Sequence, residues 1–141
     1  MMKDVVVNAR LNFNPKREGL RKGHRRSEFW VVAEVDMGVH HYYSWWINRY
    51  LSKLLIHRPA FGCHVTIVRD KDRVTDAEIF KKLKQRYDGK MIQIRYNPEL
   101  YKVRGFFCLP VDAHQIFRDI RGSLGLNEDF KYHITVGRDD V

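Results

Sequence analysis

His64, Thr66 and Arg69 recur, in the same order and spacing, as His133, Thr135 and Arg138, so both stretches read H-x-T-x-x-R. An imidazole with an ordinary pKa near ~6.5 can act as general base or general acid around neutrality. A threonine hydroxyl can donate a hydrogen bond to an anion. Both copies lie in runs of β-branched residues, which favour an extended strand, and in a strand the first and third side chains share a face. Val65, Ile67, Ile134 and Val136 then point the other way, into a core. Two such strands side by side present a base, an acid and hydroxyl donors to one cleft, a set suited to phosphodiester chemistry without a metal.

Other residues are weighed against that set. Arg69 and Arg138 can neutralise a phosphate by bidentate contacts. Five residues past a histidine is the opposite face of an ideal strand, so they turn toward the cleft only where the strands end; solvated surface arginines are the alternative. Tyr132, next to His133, and Tyr42, Tyr43, Trp45 and Trp46 are aromatic partners for a nucleobase. Helical spacing assigns Trp46 to the core and Trp45 to an exposed platform. His40, His41, His57 and His114 do not stand at metal-ligand spacing from Asp, Glu or Cys, and H-x-T is not a metal motif, so neither a metal nor another cofactor is expected. Cys63 adjoins His64 but faces the other side of the strand, which argues against a thiol nucleophile.

The chain has 141 residues, 44% hydrophobic and 30% charged, the size and make-up of one globular domain. It begins without a signal peptide's long apolar core, has no run long enough to span a bilayer, and carries two cysteines, all of which point to a cytosolic protein with reduced thiols. A net charge of +9 implies an anionic partner, for which nucleic acid, a nucleotide or an acidic surface would all qualify; the partner expected is a nucleotide or oligonucleotide and no membrane is expected. Much of that charge lies in residues 14–27, where Pro15, two glycines and a run of Lys and Arg that includes Arg25 and Arg26 read as a loop between two strands, able to attract or cover a phosphate-bearing substrate.

The elements that must position the motifs follow from periodicity. Residues 5–13 and 28–36 read as strands. Residues 40–56 read as a helix with a stripe through Trp46, Ile47, Tyr50, Leu51, Leu54 and Leu55. The first motif strand follows. A capping box from Thr75 to Glu78 opens a second helix that ends at Asp88-Gly89. Strands at 91–96 and 105–111, a helix with Ile116, Phe117, Ile120 and Leu124 on one side, and the second motif strand complete the chain. Each half therefore runs strand, Asp at the turn, helix, motif strand, roughly over 28–70 and 105–139. That weak internal repeat predicts a pseudo-twofold axis through the cleft.

Two H-x-T motifs in matching halves of a small α+β domain resemble the 2H phosphoesterase superfamily. Its members include RNA ligase-like cyclic phosphodiesterases, RNA 3'-end processing enzymes and phage enzymes that destroy cyclic oligonucleotide signals. The resemblance implies a single two-lobed domain of antiparallel-rich sheets with flanking helices and a central cleft. It also implies acid and base roles for His64 and His133 and phosphate contacts from Thr66 and Thr135. Arg69, Arg138, Tyr132, Trp45, Arg25 and Arg26 are the candidate substrate contacts. The spacing of the two motifs is similar to that in the phage enzymes, which continue beyond the second motif; three residues follow Arg138 here. The expected activity is thus a phosphodiesterase acting on a cyclic oligonucleotide or a 2',3'-cyclic phosphate, in a host cytoplasm if viral. The alternative is a non-catalytic basic domain that binds RNA or sequesters a cyclic nucleotide.

Overall fold

Along Val5–Phe13 (β1), exposed Val6, Asn8 and Arg10 alternate with buried Ala9, Leu11 and Phe13, the period-two pattern of a strand with one face on a core. The computed structural model describes residues 4–15, 29–50, 63–69 and 72–138, without the side chains of Tyr50 and Arg138. After β1 come Val31–Val35 (β2), Gly38–Tyr50 (α1), His64–Val68 (β3), Ala77–Tyr87 (α2), Met91–Tyr96 (β4), Tyr101–Val103 (β5), Phe106–Val111 (β6), Gln115–Ser123 (α3) and Tyr132–Arg138 (β7). The architecture is mixed α+β, as expected. No helix among the described residues is long and apolar enough to cross a membrane.

The strands form one antiparallel sheet in the order β4-β1-β2-β3-β7-β6-β5. Tyr96 of β4 also pairs with Val111 of β6, so six strands close into a barrel and β5 hangs on its rim. The expected antiparallel strands with flanking helices are therefore present. They make one sheet because β3 pairs directly with β7, and that seam joins the two halves of the repeat. On one side of it lie β1, β2 and β3, on the other β5, β6 and β7. Each motif strand is antiparallel to the strand that precedes it across a helix, β2 to β3 over α1 and β6 to β7 over α3.

All three helices contribute to the same apolar cluster. Tyr43 and Ile47 of α1, Phe80, Leu83 and Tyr87 of α2, and Phe117 and Ile120 of α3 join Leu11, Ala33, Val65, Ile67, Leu109, Ile134 and Val136 of the strands. In α1 the buried line runs through His40, Tyr43 and Ile47, which corrects the expected stripe: Trp46 lies a quarter-turn away and is 40% exposed. Leu51, Leu54 and Leu55 of that stripe lie outside the described residues. Helix α2 begins one residue later than the Thr75 capping box predicts, because the Asp76 carboxylate caps it, accepting from Ile79 N at 3.1 Å. The imidazole of His114 caps α3, its Nδ1 accepting from Ile116 N at 3.0 Å.

Two turns position the rest. Arg104 and Gly105 both have positive φ, 49° and 83°, the requirement of a two-residue turn whose twist matches the hairpin it closes. That hairpin creates β5, which periodicity alone did not reveal. Asn14, also at positive φ, exchanges backbone and side-chain hydrogen bonds with Trp30, so both ends of the basic segment are held together at the mouth of β1 and β2.

Arg121 is buried with the core at 2% exposure. Its Nε donates to Asn127 O at 2.6 Å, its Nη1 to Ile67 O at 2.8 Å and to Asp72 Oδ2 at 3.0 Å, and its guanidinium lies 4.3 Å from the centre of the Phe130 ring. This one side chain ties α3 to the end of the first motif strand and to the loop that leads into the second.

Candidate functional site

Val65 lies opposite Ile134 across the β3–β7 seam, and both are fully buried on the core face. In an antiparallel pair, moving one residue along one strand moves one residue back along the other. His64 therefore stands opposite Thr135, and Thr66 opposite His133. All four point to the face away from the core, and all four are half-buried. Each histidine is matched with the threonine of the other motif, and the two histidines are diagonal neighbours, a relation that sets side chains roughly 7–8 Å apart. A phosphodiester with a hydrogen bond on either side fills such a gap.

The neighbouring strands extend this face in two rows. One runs Arg10, Glu34, His64, Thr135, Cys108 and Tyr101; the other runs Asn12, Val32, Thr66, His133 and Pro110. Val32 and Cys108 are buried, and the Trp30 ring meets that of His64 edge to face with centres 6.0 Å apart, so the histidine pair sits among apolar walls. Burial holds the His133 imidazole below its usual pKa, against the opposing pull of a hydrogen bond with the Lys131 backbone. It therefore favours the neutral ring, the form a base needs. The Cys108 thiol lies 3.9 Å from the Thr135 hydroxyl, and burial raises its pKa although that contact lowers it.

The remaining candidates are distributed differently. Arg69 sits just beyond β3, with Nη2 at 2.9 Å from Asp72 Oδ1 and its guanidinium 4.9 Å from the centre of the Phe130 ring. Its charge is committed to the clamp that also holds Arg121. Tyr132 is a correction: adjacent strand residues face opposite ways, and its ring packs between Phe117 and Phe130 in the core, 3% exposed. Trp45 is exposed, as expected, with the Arg49 guanidinium 5.7 Å from the centre of its ring. Arg25, Arg26 and the side chain of Arg138 lie outside the described residues. Cys63 belongs to the core, and burial pushes its thiol up to about 11, the wrong direction for a nucleophile. Both cysteines are free and buried.

Glu34 and Trp30 are the neighbours that motif reading missed. Counting back by twos along β2 puts residues 34, 32 and 30 on one face, but only the register of β2 on β3 shows that this is the histidine face. Among the described residues, no three His, Cys, Asp or Glu side chains converge as metal ligands. No family model, curated protein or solved structure matches the chain.

Proposed function

We propose that this chain is a phosphodiesterase of the two-histidine type, cleaving a nucleotide or oligonucleotide phosphodiester without a metal. The observation that carries the reading is the seam register, which gives each catalytic imidazole a hydroxyl from the other motif and puts all four groups on one face. On this reading the β3–β7 seam of the barrel stands where the 2H family has its cleft, with β1 and β2 to one side of it and β6 and β5 to the other. One histidine takes the proton of a ribose 2'-OH or of a water as that oxygen bonds to phosphorus; the bond to the departing oxygen breaks, and the second histidine protonates it. A 2'-OH attack yields a 2',3'-cyclic phosphate, and water opens one. Thr66 and Thr135 donate to the non-bridging oxygens, where charge gathers in the transition state. The excess positive charge, including Arg25 and Arg26 in the basic segment, draws the anionic substrate in, and Trp45 is an exposed ring for a base to stack on.

The test is incubation of the purified protein, in EDTA, with a 3',3'-cyclic dinucleotide, a 2',3'-cyclic mononucleotide and a short RNA ending in a 2',3'-cyclic phosphate, with products identified by mass. Turnover of one of these is expected, falling about 10²- to 10⁴-fold in both His64→Ala and His133→Ala. Tight binding without turnover of any of them replaces the reading with that of a sequestering domain.

A further inference from the structure

His64 and His133 occupy related positions across the seam, yet their surroundings differ in charge. Glu34 of β2 is the direct ladder partner of His64, and directly opposed residues of an antiparallel pair share a face with Cβ atoms roughly 4.5–5.5 Å apart. The corresponding neighbour of His133, on the far side of its own strand, is Pro110, which carries no charge. Asn12 Nδ2 donates a hydrogen bond to Glu34 Oε1, which holds the carboxylate on this face.

We propose that Glu34 is a positioning residue for His64: its carboxylate keeps the imidazole in the cationic, proton-donating form and turns it toward the departing oxygen, so that His64 is the general acid and His133 the base. The assignment rests on the two-histidine phosphodiesterase reading. Thr135 opposite it on β7, His133 on the diagonal, Thr66 on its own strand and the Trp30 ring also face His64. Arg10 stands one strand further out, opposite Glu34, and competes with His64 for the carboxylate. Glu34 is itself exposed, so the pair is partly screened, and the effect on His64 is a bias rather than a lock. Burial disfavours the His133 cation, and a carboxylate beside His64 favours the His64 cation; two titrating groups biased in opposite directions are an acid and a base in the making. The proton accounting is complete: His133 gains the proton of the attacking oxygen, His64 loses one to the departing oxygen, and exchange with water restores both.

The experiment is a proton NMR titration of the histidine rings in the wild-type chain and in Glu34→Gln, an isosteric change at an exposed position that leaves the core untouched. The apparent pKa of His64 falls by about one unit in the variant, while that of His133 does not move. An unshifted His64 overturns the proposal whether or not the protein is an enzyme, so the two readings fail separately. The second measurement is the pH profile of kcat/KM with whichever phosphodiester is turned over. Its alkaline limb moves to lower pH in Glu34→Gln with KM unchanged, and Glu34→Asp restores part of the shift. A shifted titration with an unmoved alkaline limb, or with no turnover of any phosphodiester, overturns the role of His64 as acid.

Discussion

Arg121 of α3 donates a hydrogen bond of 2.8 Å to the carbonyl oxygen of Ile67, the residue that follows Thr66 in the first motif strand. The carbonyl is a buried acceptor at the irregularity of the β2–β3 ladder, where Val32 pairs with Thr66 and Val31 with Val68, and the same guanidinium nitrogen reaches Asp72. Removing the guanidinium orphans the carbonyl and strips Asp72 of one of its two cations. Arg121→Ala therefore lowers the free energy of unfolding by about 3 kcal/mol, read from urea denaturation. Arg69→Ala, which removes the other cation from a side chain 39% exposed, costs less than about 1 kcal/mol. Equal losses from the two substitutions would show that the clamp is not centred on Arg121.

Asp72 makes the same clamp sensitive to acid. Burial on its own would raise the carboxyl, but hydrogen bonds from the Arg69 side chain and backbone and from Arg121 outweigh it, and the net shift is downward. A carboxyl whose folded pKa is depressed stabilises the fold fully above its unfolded pKa of ~3.9, and that stabilisation is lost as pH falls through the folded value. Asp72→Asn should accordingly lower the melting temperature at pH 7 and have a steadily smaller effect as pH falls below the unfolded value. Melting curves of the two proteins at pH 7, 5, 4 and 3 converge toward the acid end if this is right; parallel curves contradict it.

The threonines test the seam itself. Valine has threonine's shape and β-propensity but no hydroxyl, so Thr66→Val and Thr135→Val leave β3 and β7 in register and remove only a donor. Each lowers kcat by about a hundredfold, with melting temperatures within a few degrees of the wild type. In the proposed mechanism the two hydroxyls act on one phosphate, so the double variant loses less than the product of the single losses. Independent losses that multiply would place the threonines at separate sites.

How far the site was legible in the sequence depended on whether its signal was local. The faces of β3 and β7 follow from counting by twos, and so do the buried Val65 and Ile134; the same count turns Tyr132 away from the face of His133 and into the core. The β5–β6 hairpin was marked by Arg104-Gly105, a pair whose second member tolerates positive φ, but three exposed residues in β5 carry no alternation to announce a strand. The stripe expected along α1 holds at Ile47 and fails at Trp46, because aromatic residues surround the helix and only tertiary contacts decide that Tyr43 goes inward and Trp46 does not. Glu34 was invisible for a different reason. Its relation to His64 is a matter of which strands pair and in which register, and thirty residues that include a helix separate them.

On the proposed mechanism the acid side of the pH profile belongs to His133. Its imidazole is half-buried between Pro110 and Thr66, and burial disfavours the cation, so the ring stays neutral to a lower pH than the usual ~6.5. As the base, it must be neutral to accept a proton, so the acid limb of kcat/KM falls below pH ~6.5. The stability linkage has the same sign: a histidine with a depressed folded pKa stabilises the fold above its unfolded value, and that contribution disappears as pH drops through the folded one. Activity and stability therefore decline together on the acid side, and they can be separated. Pro110→Glu would put a carboxylate opposite His133, as Glu34 stands opposite His64, on a strand position that proline leaves without a ladder donor. It raises the His133 pKa and carries the acid limb of the rate profile to higher pH, by about one unit. An acid limb that does not follow the His133 titration removes His133 from the role of base.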